Sequence, residues 1–296
     1  MQQAKKVLGF VAFFLAQFFR QRIVAKFGGT SMATAESIRK VTRIIRGDPR
    51  IMTVVVSAPG KVNGGDKITD LLLACFALRQ QGESFDQPWQ LIASRFQHIV
   101  SELGLSVAID VHLREIRTQI ERGVSRAYVA SRGEYLSSLL LADFLGWQWI
   151  DAASVMRFRD DGSLDEVASC RFVHEHCLNR RVVLGGFYGA TSCGDIAVFD
   201  RGGSDITGSY LAAFLGAAVY RNYTDVTGVY SGDPNGLEPV THFSHMTATD
   251  FLLLHERTGA TVVHPVAVEI AVCYCVPVQV CSTFDPGGNF TTIVPA

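Results

Sequence analysis

The stretch Ile23-Val24-Ala25-Lys26-Phe27-Gly28-Gly29-Thr30-Ser31 constrains the fold of this chain more than any other. An apolar run of strand length ends in a glycine pair, and the residues beyond it carry apolar groups at helical spacing, Ile38, Val41, Ile44 and Ile45. A strand therefore feeds a turn that opens into a helix. Two glycines let backbone N–H groups converge without Cβ obstruction, the following helix offers its positive end, and Lys26 adds a full charge. Such a turn suits a polyphosphate. It has neither the Gly-x4-Gly-Lys-Ser/Thr spacing of the Walker loop nor the Gly-x-Gly-x-x-Gly of dinucleotide folds, so its use depends on the rest of the chain.

A second glycine pair, in Arg201-Gly202-Gly203-Ser204-Asp205, precedes another helical pattern over 206–215. Residues 218–223 then read as a buried strand that runs into Thr224-Asp225-Val226, with Tyr230 and Asp233-Pro234 closing the loop. In open α/β sheets ligands lie beyond the carboxyl ends of the strands, so polar loops at three such ends describe one crevice. Between these motifs helical and strand periods alternate, the pattern of a sheet built from βαβ units. Thr34 is expected to cap a helix that Gly47 and Pro49 stop. Strands are expected at 52–56, 147–150, 182–187, 196–199, 261–263, 278–281 and 291–294, and helices at 69–80, 133–145, 246–257 and 266–275. The stretch from 88 to about 121 is expected to be mostly helical.

Composition limits the functional classes. Of 296 residues 48% are hydrophobic and 19% charged, enough for a large core, and the 27 glycines allow many tight turns. The net charge of −1, with 27 Lys and Arg spread along the chain, leaves no basic field for nucleic acid. Seven cysteines without a Cys-x-x-Cys pair argue against a disulfide framework and for a reducing compartment, so a cytoplasmic location is expected. No metal site is expected: in His174-Glu175-His176 the two imidazoles diverge on a helix, and Cys273-x-Cys275 has no second pair.

The set of motifs resembles the catalytic domain of aspartate kinases in the amino-acid kinase superfamily. It comprises Lys26 to Ser31, Ser57-Ala58-Pro59-Gly60-Lys61 with Thr69-Asp70-Leu71-Leu72, Ser131-Arg132-Gly133-Glu134, Gly186-Phe187-Tyr188-Gly189, Arg201 to Asp205, and Thr224-Asp225-Val226, spanning roughly residues 22 to 294. The Ser-Ala-Pro-Gly-Lys form is most similar to a clostridial-type branch. The resemblance implies an α/β three-layer sandwich with a mainly parallel central sheet. Residues 22–296 would form the catalytic domain, with a substrate lobe at about 22–190 and a nucleotide lobe at about 191–296.

The activity implied is transfer of the γ-phosphoryl of ATP, brought with Mg2+, to the side-chain carboxylate of L-aspartate, the first step of the aspartate-family pathway towards lysine, threonine and methionine. The alternatives are another amino-acid or carbamate kinase, or a non-catalytic nucleotide-binding subunit. By resemblance Lys26 neutralises charge on the moving phosphoryl and Asp205 holds Lys26 or its network. Arg201 and Glu134 grip the α-carboxylate and α-ammonium of aspartate, and Thr69, Phe187 and Ser204 line the same pocket. Nucleotide binding falls to Lys26, Gly28, Gly29, Thr30, Ser31, Thr224, Asp225, Tyr230, Asp233 and Asn235. Homodimerisation is also implied.

Two positions depart from the family pattern. Asn235 stands where arginine is usual, and Thr261 where many members have lysine; both missing charges would face phosphates. Family members usually carry ligand-binding ACT domains after the kinase core, and with the chain stopping at Ala296 the expectation is a core without built-in feedback control. The first 21 residues form an apolar extension. Lys5-Lys6 precede the thirteen residues Val7 to Phe19, followed by Arg20-Gln21-Arg22, an outline like a signal peptide but shorter than the roughly 20 apolar residues of a spanning helix and without a clear cleavage site. A non-family extension or early start codon, a helix packing on this or another subunit, and membrane contact remain the three readings.

Overall fold

The computed structural model describes residues 22–62, 64–232, 240–259 and 262–295. The N-terminal extension, Asp233, Asn235 and Thr261 lie outside the described residues. The strands are β1 (Ile23–Phe27), β2 (Ile51–Val56), β3 (Gln148–Ile150), β4 (Arg157–Phe158), β5 (Val182–Gly185), β6 (Tyr188–Thr191), β7 (Ile196–Val198), β8 (Val219–Thr224), β9 (Val229–Tyr230), β10 (His242–Phe243), β11 (His245–Thr247), β12 (Val278–Ser282) and β13 (Thr291–Val294). The α-helices are α1 (Ala35–Gly47), α2 (Ile68–Gln80), α3 (Asp86–Leu103), α4 (Ile109–Arg122), α5 (Arg126–Leu145), α6 (Ala152–Val155), α7 (Glu166–Cys177), α8 (Gly203–Phe214), α9 (Ala248–Thr258) and α10 (Pro265–Cys273).

Eight strands form the main sheet in the order β11-β13-β12-β8-β1-β2-β5-β3. All its pairings are parallel except β12 with β13. A parallel sheet must be covered on both faces, and its central strands are accordingly buried: all five residues of β1 are, and four of them are apolar. The period of two sends Ile23, Ala25 and Phe27 into one core, with α1 to α5, and Val24 into the other, with α7, α8 and α10. This is the three-layer α/β architecture that the resemblance implied.

Local signals account for most boundaries. Thr34 caps α1 by accepting from the Ser37 amide at 3.1 Å, and Ile38, Val41 and Ile45 form its buried stripe. Gly104, Gly123 and Gly146 adopt left-handed backbone just past α3, α4 and α5 and end them. Where expectation and structure part, packing explains the difference. Helix α5 begins seven residues before Gly133, capped by Ser125, so Ser131-Arg132-Gly133-Glu134 lies inside a helix rather than at its start. The expected strand over 182–187 breaks after Gly185, and Val262 and Val263 form a bend rather than a strand. No helix among the described residues is long and apolar enough to cross a membrane.

Candidate active site

Lys26 sits one residue before the end of central β1 and shares the face of Val24, so the alternation of the strand points it towards α8. There Nζ meets Asp205 Oδ1 at 2.7 Å, with both side chains almost buried. Three donors fix that carboxylate. Asn222, the register partner of Lys26 on β8, donates from Nδ2 to Oδ1 at 2.9 Å, and the His264 amide donates to Oδ2 at 2.9 Å. The N-cap of α8 is Gly202, in left-handed backbone at φ 66°, so Asp205 is the third residue of the helix and not its cap. A Cβ on Gly202 would fall 2.2 Å from the His264 ring, which excludes any other residue there.

Glycines at the end of β5 draw two helices to the same place. A Cβ on Gly185 would lie 2.9 Å from the backbone of Glu134 in α5, and one on Gly186 would lie 2.6 Å from Cα of Ser204 at the start of α8. Without side chains there, both helices close onto the strand end from opposite faces. Phe187 follows at φ 79°, a conformation costing about 1–3 kcal/mol for a bulky residue and held by the Thr207 hydroxyl on its amide at 3.0 Å. Lys26, Thr69, Glu134, Phe187, Ser204 and Asp205 thereby line one pocket of about 260 Å³, small enough for a metabolite rather than a drug-sized ligand. Thr69 enters from the first turn of α2 and Ser204 from the first turn of α8, two helix ends that favour an anion.

Glu134 is the most unusual group in this pocket. It is 7% exposed, accepts a bond from the Ala58 amide, and its Oε2 has no hydrogen-bond partner. Burial pushes its pKa up from 4.5 to about 7, against the smaller opposing effects of the Ala58 amide, Arg132 and Lys26. A buried carboxylate with an open lone pair is suited to receive a cation. Next to it, the pocket also holds Ser57 and Asp200.

The glycine turn after β1 is built differently from the expectation. The Gly28 amide is committed to Tyr223 O at 3.0 Å, prolonging the β1–β8 pairing, so it is not a phosphate donor. Ser31 is fully buried and its hydroxyl lies 2.7 Å from that of Thr283, which removes it from the set of ligand-facing residues. Gly29 is required by close packing: its Cβ would stand 2.9 Å from Ala58 O, and Gly60 N donates to Gly29 O at 2.8 Å. Thr30 does face the expected neighbour, since its hydroxyl donates to Asp225 Oδ2 at 3.4 Å while Thr224 donates to Oδ1 at 3.1 Å. Tyr230 lies beyond them in β9, its hydroxyl 2.5 Å from that of Thr227. Arg201 is exposed and lines a neighbouring cleft of about 700 Å³ that shares Gly202 and Asp205 with the smaller pocket.

Ser57 belongs to the Ser57-to-Lys61 motif and Asp200 precedes the Arg201-to-Asp205 motif, and both line the pocket beside the residues those motifs supply. Asn222 and His264 carried no signal, because their roles arise from cross-strand register and a contact between Asp205 and the chain 59 residues further on. His174 has a structural partner, with Nε2 at 2.5 Å from Phe214 O. Among the described residues no group of three His, Cys, Asp or Glu could hold a metal ion.

A lysine–aspartate pair, two helix N-termini and an open carboxylate gather at the carboxyl edge of a parallel sheet, the edge at which open α/β proteins bind their ligands. The pattern of the Amino acid kinase family matches residues 21–282, and the chain belongs to that family. It is similar to Aspartokinase 3 of Bacillus subtilis, 33% identical over 288 residues that cover 92% of this chain and 63% of the relative. Among solved structures it resembles the aspartate kinase of Clostridium acetobutylicum, at 36% identity and a TM-score of 0.85, covering 93% of this chain and 62% of that one. E. coli aspartokinase III in complex with aspartate and ADP gives 28% identity and a TM-score of 0.81, covering 93% and 64%. The chain thus spans less than two thirds of the length of these relatives.

Proposed function

We propose that the chain catalyses ATP-dependent phosphorylation of the side-chain carboxylate of L-aspartate. The observation that carries this reading is the Lys26–Asp205 pair in one pocket with the buried, open Glu134. Support comes also from the relatives, which are aspartokinases, one of them solved with aspartate and ADP. The acceptor carboxylate, with an ordinary pKa of about 3.9, is already ionised at neutral pH, so the reaction needs no general base. Its oxygen attacks the γ-phosphorus, the bond to the bridging oxygen breaks, and ADP leaves with that electron pair.

What remains for the protein is to bring two anions together and neutralise the moving charge. Lys26, steered by an Asp205 that Asn222 and His264 hold in place, is the group for that task. Glu134 receives the substrate ammonium, the starts of α2 and α8 with Thr69 and Ser204 favour a carboxylate, and Arg201 swings from the adjoining cleft to grip the other one through two parallel bonds. Thr30, Thr224 and Asp225 offer two hydroxyls and a carboxylate on the nucleotide side, with Tyr230 beyond them. Mg2+ would arrive bound to ATP and offset phosphate charge, and Asp225, held by the Thr30 and Thr224 hydroxyls, would be the carboxylate on the nucleotide side able to hold it. A homodimer in the cytoplasm belongs to the same proposal.

Trapping the acyl phosphate with hydroxylamine, with ATP and each of a panel of amino acids, tests the reading. Hydroxamate with aspartate alone supports it. Hydroxamate only with another acceptor, or ATP binding without turnover, overturns it.

A further inference from the structure

The connection between β2 and α2 supplies much of the pocket. Ser57 and Thr69 line it, and the Ala58 amide is the donor on Glu134. The same connection touches the glycine turn through Gly60 N to Gly29 O at 2.8 Å and β1 through Ser57 N to Phe27 O at 3.1 Å. On its other side Ala58 presses on α5, where a Cβ on Gly133 would come within 2.5 Å of the Ala58 Cβ. The segment is thus a wedge between the phosphate-side turn and the helix that carries Glu134.

One side chain closes over the outside of this wedge. Arg95, half-buried on α3, donates from Nη1 to Asp66 O at 3.1 Å and from Nη2 to Ala33 O at 3.3 Å and to Gly60 O. Its partners are carbonyls of two separate stretches: the chain after the glycine turn, at Ala33, and the wedge, at Gly60 and, just before α2, at Asp66. Arg95 has no carboxylate partner among the ion pairs of the described residues, so its charge goes into those carbonyls. Burial lowers its pKa, as it does for a cation drawn out of water, yet a guanidinium remains charged at any working pH.

We infer that Arg95 is a positioning residue of the proposed reaction: bridging the Ala33, Gly60 and Asp66 carbonyls, it locks the wedge against the Gly28–Gly29 turn and so sets Ser57, Thr69 and the Ala58–Glu134 contact. The planar fork matters, because one guanidinium offers five donors in fixed directions and an ammonium is a single point. The inference rests on the kinase reading for its effect on catalysis. Its mechanical part, the lock on the connection, does not.

Both parts are tested with Arg95→Met, Arg95→Lys and, as a control that loses an exposed arginine–carbonyl bond between α2 and α4, Arg79→Met. The connection carries exposed Lys61 and Lys67, so trypsin reports on its closure in the ligand-free protein. Arg95→Met should be cut after these lysines at least about tenfold faster than the parent, and its KM for aspartate should rise at least about tenfold with a smaller fall in kcat, the scale of one lost charge-assisted contact. Arg95→Lys should fall between the two, and Arg79→Met should match the parent in both readouts. Unchanged cleavage overturns the lock. A lowered melting temperature with unchanged KM and unchanged cleavage also overturns it, since it would mean support of the fold alone. Faster cleavage with unchanged KM in an active parent overturns the positioning role. Should the parent make no hydroxamate from aspartate, the kinase reading fails, while the cleavage rates still decide the lock.

Discussion

Replacing Glu134 with glutamine separates what this carboxylate does for the fold from what it does for the ligand. The rise from 4.5 to about 7 means that an ionised Glu134 destabilises the folded chain by about 3 kcal/mol relative to an exposed carboxylate. The folded state holds this proton more tightly than the unfolded one, so between pH 4.5 and 7 the folded chain binds more protons and stability falls as pH rises. The penalty is absent below the unfolded pKa and complete above the folded one. Glutamine keeps an oxygen for the Ala58 amide and carries no charge, so the variant lacks this slope. The difference in unfolding free energy between variant and parent should move by about 3 kcal/mol in favour of the variant from pH 4.5 to 8.5, or roughly 6 °C in melting temperature. Every other titrating group is common to both proteins and cancels in that difference.

The ligand reports the opposite sign. An ammonium pairs with the ionised form, so in the parent KM for aspartate should climb about tenfold for each unit of pH below about 7, whereas the variant should show a KM raised roughly 10–150-fold and without that dependence. Denaturant unfolding across the pH range and the hydroxamate assay measure the two effects. Parallel stability curves for the two proteins, or an unchanged KM in the variant, would refute the assignment of Glu134 as a buried cation receptor.

Lys26→Ala should lower kcat by at least about two orders of magnitude, the scale of a lost oxyanion donor, and near-normal turnover would remove Lys26 from the chemistry. Arg201→Lys should raise KM for aspartate at least about tenfold with folding stability unchanged, because a point charge cannot reproduce a bidentate grip; an unaltered KM would leave Arg201 as a surface residue of its cleft. Asp48, beyond α1, accepts from Arg50 and from Arg221 on β8, which hold its pKa down at about 2. Asp48→Asn should destabilise by about 1–2 kcal/mol above pH 4, and that difference should vanish as pH falls from 4 to 2, since a depressed carboxylate stabilises only while ionised. A difference constant across those pH values, followed by denaturant unfolding, would mean that the loss is not electrostatic.

How much could be read in advance follows from the range of the forces involved. The β1–turn–α1 unit, the cap at Thr34 and the apolar stripe of Ile38, Val41 and Ile45 are local, and the sequence states them within a few residues. The motif around Asp205 pointed to a second polar strand end, and the pair with Lys26 at 2.7 Å joins the two. The fate of individual groups inside those motifs was not legible. Whether Ser31 faces a ligand or Thr283, and whether the Gly28 amide is open or bound to Tyr223, depends on partners some 195 to 252 residues away in the chain.

The sequence by itself determined the chemistry available: a lysine before a glycine pair, a carboxylate on an apolar helix, a second glycine pair with an acid, and the alternation that makes a covered parallel sheet. Those are matters of residue type and period, which neighbours along the chain dictate. The tertiary structure alone decided which of these groups meet. Sheet register set Asn222 beside Lys26, glycines 185 and 186 let two helices close on one strand end, and burial that leaves Oε2 unpartnered raised the pKa of Glu134 to about 7. Desolvation and contact depend on what lies across space, and no window of sequence contains that.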